Sequence, residues 1–351
     1  MASRIRASAA CALAVGGFAI APHLHGAASQ SNQQTFREHV DVARVLIDAR
    51  VVDDSGQPIT GLTAAQFSVR IAGKPAHVDT VDWVPAGVPR DEPLSATGAG
   101  TPLMPRGRWI VFLFQRAHDL SDATGLMRVR DDLAAFADVV TRDDHVAILS
   151  FDSTLHYWLD FTNDVEGIRR VLRHDILVQS PPPLVVSAPP SLAGRLTAET
   201  AQSTYTIEKS LQLLGEALDP LPGAKSIVML GHGMGTWVPR FGIVQLGFDY
   251  SEAFAALQKA RVSVFCIDIT KADYHPRQEG LQQIAQDTGG YYMQSHIFTR
   301  SIFERLGGAL AGYYTLSIVA PQGAKGEQQI DIKLIGRKGK VVSKRAYLAE
   351  P

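Results

Sequence analysis

Trp109-Ile110-Val111-Phe112-Leu113-Phe114 is an unbroken apolar run of six residues, and its reading decides the fold. It is far shorter than the ~20 residues a membrane-spanning helix needs. It lacks the alternation of a half-exposed strand, so it reads as a strand covered on both faces. Downstream, Leu126, Val129, Leu133, Phe136 and Val140 recur at helical spacing within Ser121 to Val140, with Ser121 or Asp122 as N-cap. His145 to Phe151 and Leu155 to Leu159 read as strands, and Asp164 to Arg173 as a helix. Ile176 to Leu196, with Pro181-Pro182-Pro183 and Pro189-Pro190, reads as an exposed irregular loop. Glu199 to Leu218 reads as one long helix, and Lys225 to Leu230 as the next buried strand. Helix 251–260, strand 261–267, helix 276–288, strand 290–293 and helix 297–310 complete the alternation. The expected fold is α/β, a doubly wound and mostly parallel sheet.

Both flanks read as β. Val40 to Val52 alternates, with Val45, Ile47 and Val51 on one face, and Asp53-Asp54-Ser55-Gly56 is a turn signal. Thr63-Ala64-Ala65-Gln66 has the pattern of a capping box on a short helical turn. Strands are expected at 67–71 and 77–84, and a linker rich in Pro, Gly, Ala and Ser at 85–107. The tail offers strands 313–320, 328–335 and 341–348. Three strands alone are marginal. The six together suffice for one small β-sandwich, which would place the α/β domain between its halves. The expected division is 29–95 for the N-terminal β segment, 96–310 for the α/β domain and 311–351 for the C-terminal strands.

Composition narrows the function classes. The 351 residues, 46% hydrophobic and 20% charged, correspond to about two domains with sizeable cores. Arg4 and Arg6, the apolar run to Ala21 and the small residues Gly26-Ala27-Ala28 read as a signal peptide over residues 1–28, so an exported protein, periplasmic or secreted, is expected. Losing those residues, which hold two arginines and no acidic residue, takes the formal charge from −1 to −3. Nucleic-acid binding lacks the basic excess it needs. No later stretch is long and apolar enough for a membrane span. Of the two cysteines, only Cys266 remains in the expected mature chain, inside an apolar strand where it reads as an inert core thiol.

Four stretches in order carry a family resemblance: Val51-Val52-Asp53-Asp54-Ser55-Gly56-Gln57-Pro58-Ile59-Thr60-Gly61-Leu62 leading to Gln66-Phe67; Arg142-Asp143-Asp144-His145-Val146-Ala147-Ile148-Leu149-Ser150-Phe151 leading to Asp160-Phe161-Thr162-Asn163-Asp164; Ala224-Lys225-Ser226-Ile227-Val228-Met229-Leu230 before a Gly-rich turn; and Tyr313-Tyr314-Thr315-Leu316 with Arg345-Ala346-Tyr347. In these the chain resembles the exported von Willebrand factor type A-related proteins frequent in Acidobacteria. The resemblance implies a type A α/β domain and ligand binding through a metal-ion-dependent adhesion site at the carboxyl ends of the strands. The motif of that site is Asp-x-Ser-x-Ser, whose carboxylate and hydroxyls suit Mg²⁺. This chain has Gln115, Arg116, Ala117, His118 and Asp119 there, and Gly231-His232-Gly233 where the distal acidic turn is expected. Thr204 matches the remaining hydroxyl ligand. With those ligands replaced and Arg116 among them, the adhesion site is degenerate and the expected state is metal-free. A divalent metal is the open alternative: His118, Asp119 and His232 on one rim would suit a transition metal better than Mg²⁺.

Other chemistries fare worse. Gly231-His232-Gly233-Met234-Gly235 imitates a dinucleotide loop, but Thr236-Trp237-Val238-Pro239-Arg240 follows where a helix N-terminus is needed. No nucleophile elbow occurs, because His232 stands where serine would. Asp143 and Asp144 read as solvated turn residues or local caps. No catalytic residue is assigned. The favoured function is non-enzymatic binding of a protein partner or ligand through a rim of Gln115, Arg116, Ala117, His118, Asp119, Thr204, His232, Trp237 and Arg240, the last two as interface anchors. The alternatives are an enzyme with an unfamiliar site on that rim and a structural component of the cell envelope.

Overall fold

Side chains of the 109–114 run point alternately to the two faces of a sheet, and each face has its own core. A computed structural model describes residues 44–86, 107–116, 120–183, 185–271, 273–295, 299–321 and 325–349. The expected signal peptide, most of the expected linker, and Ala117, His118 and Asp119 lie outside the described residues.

Four strands come first: β1 (Arg44–Val52), β2 (Phe67–Ile71), β3 (Lys74–Ala76) and β4 (Val78–Pro85). The α/β part follows with β5 (Trp109–Gln115), α1 (Leu120–Ala135), β6 (His145–Phe151), β7 (Leu155–Thr162), α2 (Val165–Arg170), α3 (Ile176–Val178), α4 (Ala198–Gln202), α5 (Ile207–Leu218), β8 (Lys225–Gly231), β9 (Thr236–Val238), β10 (Ile243–Gln245), α6 (Tyr250–Lys259), β11 (Val262–Asp268), α7 (Gln278–Thr288), β12 (Tyr292–Gln294) and α8 (Arg300–Leu310). The chain ends in β13 (Gly312–Val319), β14 (Gly326–Leu334), β15 (Lys340–Ser343) and β16 (Ala346–Ala349).

The central sheet has the order β12-β11-β8-β5-β6-β7 and is parallel except for the edge strand β7. Trp109, Val111 and Leu113 enter a core closed by Leu211 and Leu214 of α5, Leu257 of α6 and Ile284 of α7. Ile110, Phe112 and Phe114 enter the opposite core with Val129 and Leu133 of α1 and Phe303 and Leu306 of α8. The doubly wound, mostly parallel expectation therefore holds at this level.

Strands from the two ends of the chain interleave in two antiparallel sheets. One has the order β15-β1-β13-β4 and the other β16-β14-β2-β3. Both feed one apolar cluster, in which Ile47, Val69, Ile71, Leu316 and Ile332 are buried. Tyr314 anchors it: its hydroxyl donates to Ile59 O (2.9 Å) and accepts from Leu62 N (3.1 Å). The short turn Ala64–Gln66 forms with Thr63 N donating to Gln66 Oε1 (2.9 Å), as its capping-box sequence predicts.

Three local expectations need correction. The helix expected over Glu199 to Leu218 is broken at Ser203–Thr206. Thr204 Oγ1 turns back to Ala201 O (2.7 Å) and accepts from Leu155 N (3.0 Å), and Thr206 caps α5 through Lys209 N (3.0 Å). The 176–196 segment is not wholly exposed. It begins in α3, and Leu192, Ala193 and Leu196 are buried because Asp160 gathers that end through Leu192 N (2.7 Å), Ala193 N (3.1 Å) and Ser191 Oγ (2.5 Å). Of the two readings of Asp144, the local cap holds and the solvated turn residue does not: it accepts from Thr141 N (2.7 Å), is fully buried and is paired with Arg108. Burial pushes its carboxyl upward, and the Arg108 hydrogen bonds and charge with the backbone amides outweigh that, leaving it below the usual range.

Candidate functional site at the carboxyl ends of the strands

Successive strands β5, β6 and β7 run one way across the central sheet, while β8, β11 and β12 run the other. The order reverses between β5 and β8, and open α/β sheets bind ligands at the carboxyl ends beside such a reversal. Here those ends are Gln115 and Gly231. The crevice is filled from within. Gln115 Nε2 donates to Gly233 O (3.0 Å), its Oε1 accepts from His232 N (2.9 Å), and His232 Nε2 donates to the Gln115 carbonyl (2.9 Å). Gly231 allows this approach, since a Cβ there would overlap Gln115 Oε1. Gly233 sits at φ +132°, a region closed to side-chain-bearing residues, and its carbonyl also accepts from Arg277 Nη2 (3.3 Å).

Of the residues singled out from sequence, Gln115 and His232 are thus brought into direct contact. Arg116 turns aside, its guanidinium lying 5.3 Å from the centre of the Trp158 ring. Thr204 is fully buried and its hydroxyl is committed to Leu155 N and Ala201 O. Trp237 and Arg240 belong to a β9–β10 hairpin that the sequence reading did not anticipate, with Val244 opposite Trp237. Arg240 lies over the Phe241 ring at 5.7 Å.

These residues do not fit a Mg²⁺ adhesion site. The side-chain oxygen of Gln115 faces an N–H donor, its amide nitrogen is committed to a carbonyl, and the Thr204 hydroxyl is used twice by backbone. Among the described residues no group of three His, Cys, Asp or Glu side chains has the geometry to hold a metal ion.

Two acid–imidazole pairs stand at the carboxyl edge. Asp268 ends β11 opposite Gly231 and is 1% exposed. It accepts from His275 Nε2 (2.7 Å), Tyr292 OH (2.7 Å) and Thr270 N (2.9 Å). An ionised carboxylate only accepts, so the His275 proton sits on Nε2. Burial, then the hydrogen bond to Asp268, pushes the Tyr292 hydroxyl up, keeping it a neutral donor. Asp152 pairs likewise with His156 Nε2 (2.7 Å) in the β6–β7 turn. Asp268 was legible as a carboxylate ending a buried strand; its pairing with His275 was not, because the intervening loop sets it.

Three large apolar side chains on the loops before α5, between β9 and β10 and before α6 are strongly exposed. Phe248 is 98% exposed, Tyr205 79% and Phe241 67%. Tyr205 and Phe248 flank a junction where Thr206 Oγ1 donates to Asp249 Oδ2 (3.0 Å) and Gly247 N donates to Glu208 Oε1 (3.3 Å).

Neither a family model nor a curated protein matches the chain. Among solved structures it is similar to a von Willebrand factor type A protein from Catenulispora acidiphila, at 9% identity over 87% of this chain and 75% of that one, TM-score 0.41. It is also similar to the vWF domain of the type V pili tip protein Mfa5 from Porphyromonas gingivalis, at 10% identity over 56% and 93%, TM-score 0.37. A point mutant of the PilB minor pilin from Streptococcus sanguinis matches at 13% identity over 61% of this chain and 64% of that one, under two thirds of its length, TM-score 0.37. Likenesses this distant assign neither a family nor an activity.

Proposed function

We propose that the chain is an exported, non-enzymatic binding protein with a von Willebrand factor type A-like α/β domain, whose adhesion site is degenerate and metal-free and which engages a protein partner through the loops around Tyr205, Trp237, Phe241 and Phe248. The observation that carries this reading is the strong exposure of Tyr205, Phe241 and Phe248 on loops that lead from a sealed crevice. A large apolar side chain left in water gains nothing for the monomer, and grouped ones mark contact surfaces. The antiparallel edge strand, the strand reversal at β5/β8 and the motif series from Val51 to Tyr347 support the type A part; the Arg4–Ala28 pattern supports export. Among the described residues no helix is long and apolar enough to cross a membrane.

The test is site-specific photo-cross-linking from positions 241 and 248 in the native cells, with Phe241→Ser/Phe248→Ser as the binding-deficient control. A single recurring partner that the double variant fails to capture, while unfolding at the wild-type temperature, is the expected result. Equal capture by wild type and double variant would end the proposal. Mature protein should begin near Ser29 on N-terminal sequencing; an intact Met1 would remove the export claim.

The Asp268–His275 pair favours a second reading, an enzyme using a carboxylate-oriented imidazole as general base. Turnover on any ester or amide substrate that His275→Gln abolishes without loss of stability would establish it.

A further inference from the structure

The junction between β1, β13 and the amino end of the central sheet holds more buried positive charge than the described residues neutralise. Asp48 is bonded by Arg261 through Nε (2.9 Å) and Nη2 (2.5 Å) and by Thr315 Oγ1 (3.1 Å), so its oxygens are occupied. Arg50, 3% exposed, gives Nη1 to Ser263 Oγ (2.9 Å) and Nη2 to Ser226 Oγ (3.3 Å), its Nε having no acceptor. Lys225, also 3% exposed, donates to Ala260 O (2.8 Å). The half-buried Lys344 ammonium has neither a hydrogen bond nor an ion pair among the described residues. Four cations therefore share Asp48, and the other carboxylate whose field reaches Lys225, Asp219, is paired with Lys259 (2.7 Å). Removing charges from water without a counter-ion costs several kcal/mol per ion, so the imbalance calls for an anion. Burial, reinforced by the charge of Arg261, pushes both Lys225 and Lys344 down to about 8.

A cleft opens on these groups, lined by Asp48, Gln258, Arg261, Ser263, Thr288 and Lys344 among others. It encloses about 320 Å³ including its open mouth and narrows beneath it, which suits a small ion better than a metabolite body. Its polar groups define the chemistry. Lys344 donates. Ser263 Oγ already accepts from Arg50, which leaves its own proton to give. Gln258 commits its amide nitrogen to Asp287 O (3.1 Å) and Ala346 O (2.9 Å), while its buried Oε1 has no donor. We propose that this cleft binds one protonated tetrahedral oxyanion of the phosphate class, its oxygens held by Lys344, Arg261 and Ser263 and its P–OH donated to Gln258 Oε1. Sulfate, which carries no proton near neutral pH, would leave that acceptor unmet. The site is independent of the loop edge and does not rest on its function.

The full chain is titrated with inorganic phosphate, sulfate and chloride at constant ionic strength, following the unfolding temperature and the ³¹P line width. Saturable stabilisation and line broadening by phosphate, at least tenfold weaker for sulfate, are expected. Lys344→Met should weaken phosphate at least tenfold, and Lys344→Arg should retain it, which separates ligand loss from misfolding. A parallel titration with glycerol phosphate distinguishes a free ion from the terminal group of a larger ligand; saturation by either supports the site. Phosphate and sulfate acting alike, no ³¹P broadening on the wild type, or Lys344→Met binding as the wild type would each overturn it.

Discussion

Gln115 carries the closure of the crevice, and replacing it with leucine isolates that role. Leucine keeps most of the side-chain volume, so cavity effects stay small. Two hydrogen bonds go. Gly233 O keeps a partner in Arg277 Nη2, so its loss amounts to about 1 kcal/mol. His232 N–H, which is part-buried, loses the Gln115 Oε1 acceptor, and stranding such a donor costs up to about 1–3 kcal/mol. Gln115→Leu should therefore destabilise by about 2–4 kcal/mol, read as a lower urea midpoint at unchanged m-value. Because the bonded partners belong to the turn that launches the β9–β10 hairpin, amide protection at 232–238 should fall more than in the cores. Mg²⁺ should leave the unfolding temperature of the wild type unmoved, since the Gln115 and Thr204 side-chain oxygens, the candidate ligands among the described residues, are already bonded. A variant within about 0.5 kcal/mol of wild type would mean the amide is not what holds the turn, and saturable stabilisation of wild type by Mg²⁺ would refute the sealed crevice.

Asp160→Ala strands the amides of Leu192 and Ala193, the Ser191 hydroxyl and the amide of Ser187, and should cost about 3–5 kcal/mol by urea unfolding, with new proteolytic nicking within 179–195. Burial pushes this carboxyl up, but Ser191 and the backbone amides more than reverse it, so its folded pKa lies below the unfolded value of about 3.9. Its contribution is fully present above that unfolded value and fades as pH falls through the lower folded one; the wild-type and variant stabilities should converge there, and a gap constant down to low pH would contradict the assignment. Deleting residues 312–351 removes β13 from between β1 and β4, so amide exchange over 44–85 should lose its protection; full protection in the truncated chain would show that the N-terminal strands stand alone. Cys266 is fully buried, and burial followed by the Asp268 charge pushes its thiol up; it should resist aromatic disulfide reagents in native buffer at pH 8 and react at once in urea, and fast native labelling would disprove the inert reading.

What could be read from the sequence followed from local pattern, and what could not followed from contacts across the chain. The 109–114 run reports two-sided burial because every one of its side chains lands in a core, which needs no knowledge of partners. The break at Ser203–Thr206 is different: the apolar spacing through 199–218 is helical, and only the demand of Leu155 N for an acceptor, 49 residues away, draws Thr204 out of register. Asp144 looked like a turn residue because its neighbours are charged, while its burial depends on Arg108, 36 residues earlier. At the crevice, the sequence shows Gln115 where the resemblance implies an acidic ligand, but not that its amide matches one donor and one acceptor to the 232–233 backbone.

That match also explains how exposed aromatic residues are tolerated next to a closed crevice. A hairpin of two three-residue strands is too small to hold itself in water. Its root at Gly231–Gly235 is fixed instead: Gln115 and Arg277 converge on Gly233 O, and Met234 N donates to Arg277 O (3.0 Å). On the outer side, the Thr206–Asp249 and Glu208–Gly247 bonds tie the returning chain to the start of α5. Phe241 and Phe248 are thus carried on a short segment anchored at both ends, so a partner of the proposed kind would meet a backbone already partly ordered. Pre-ordering of this kind lowers the cost of association. Gln115 therefore does more than leave the end of β5 without an acidic side chain: its amide fixes the 231–235 turn, and with it the root of the β9–β10 hairpin.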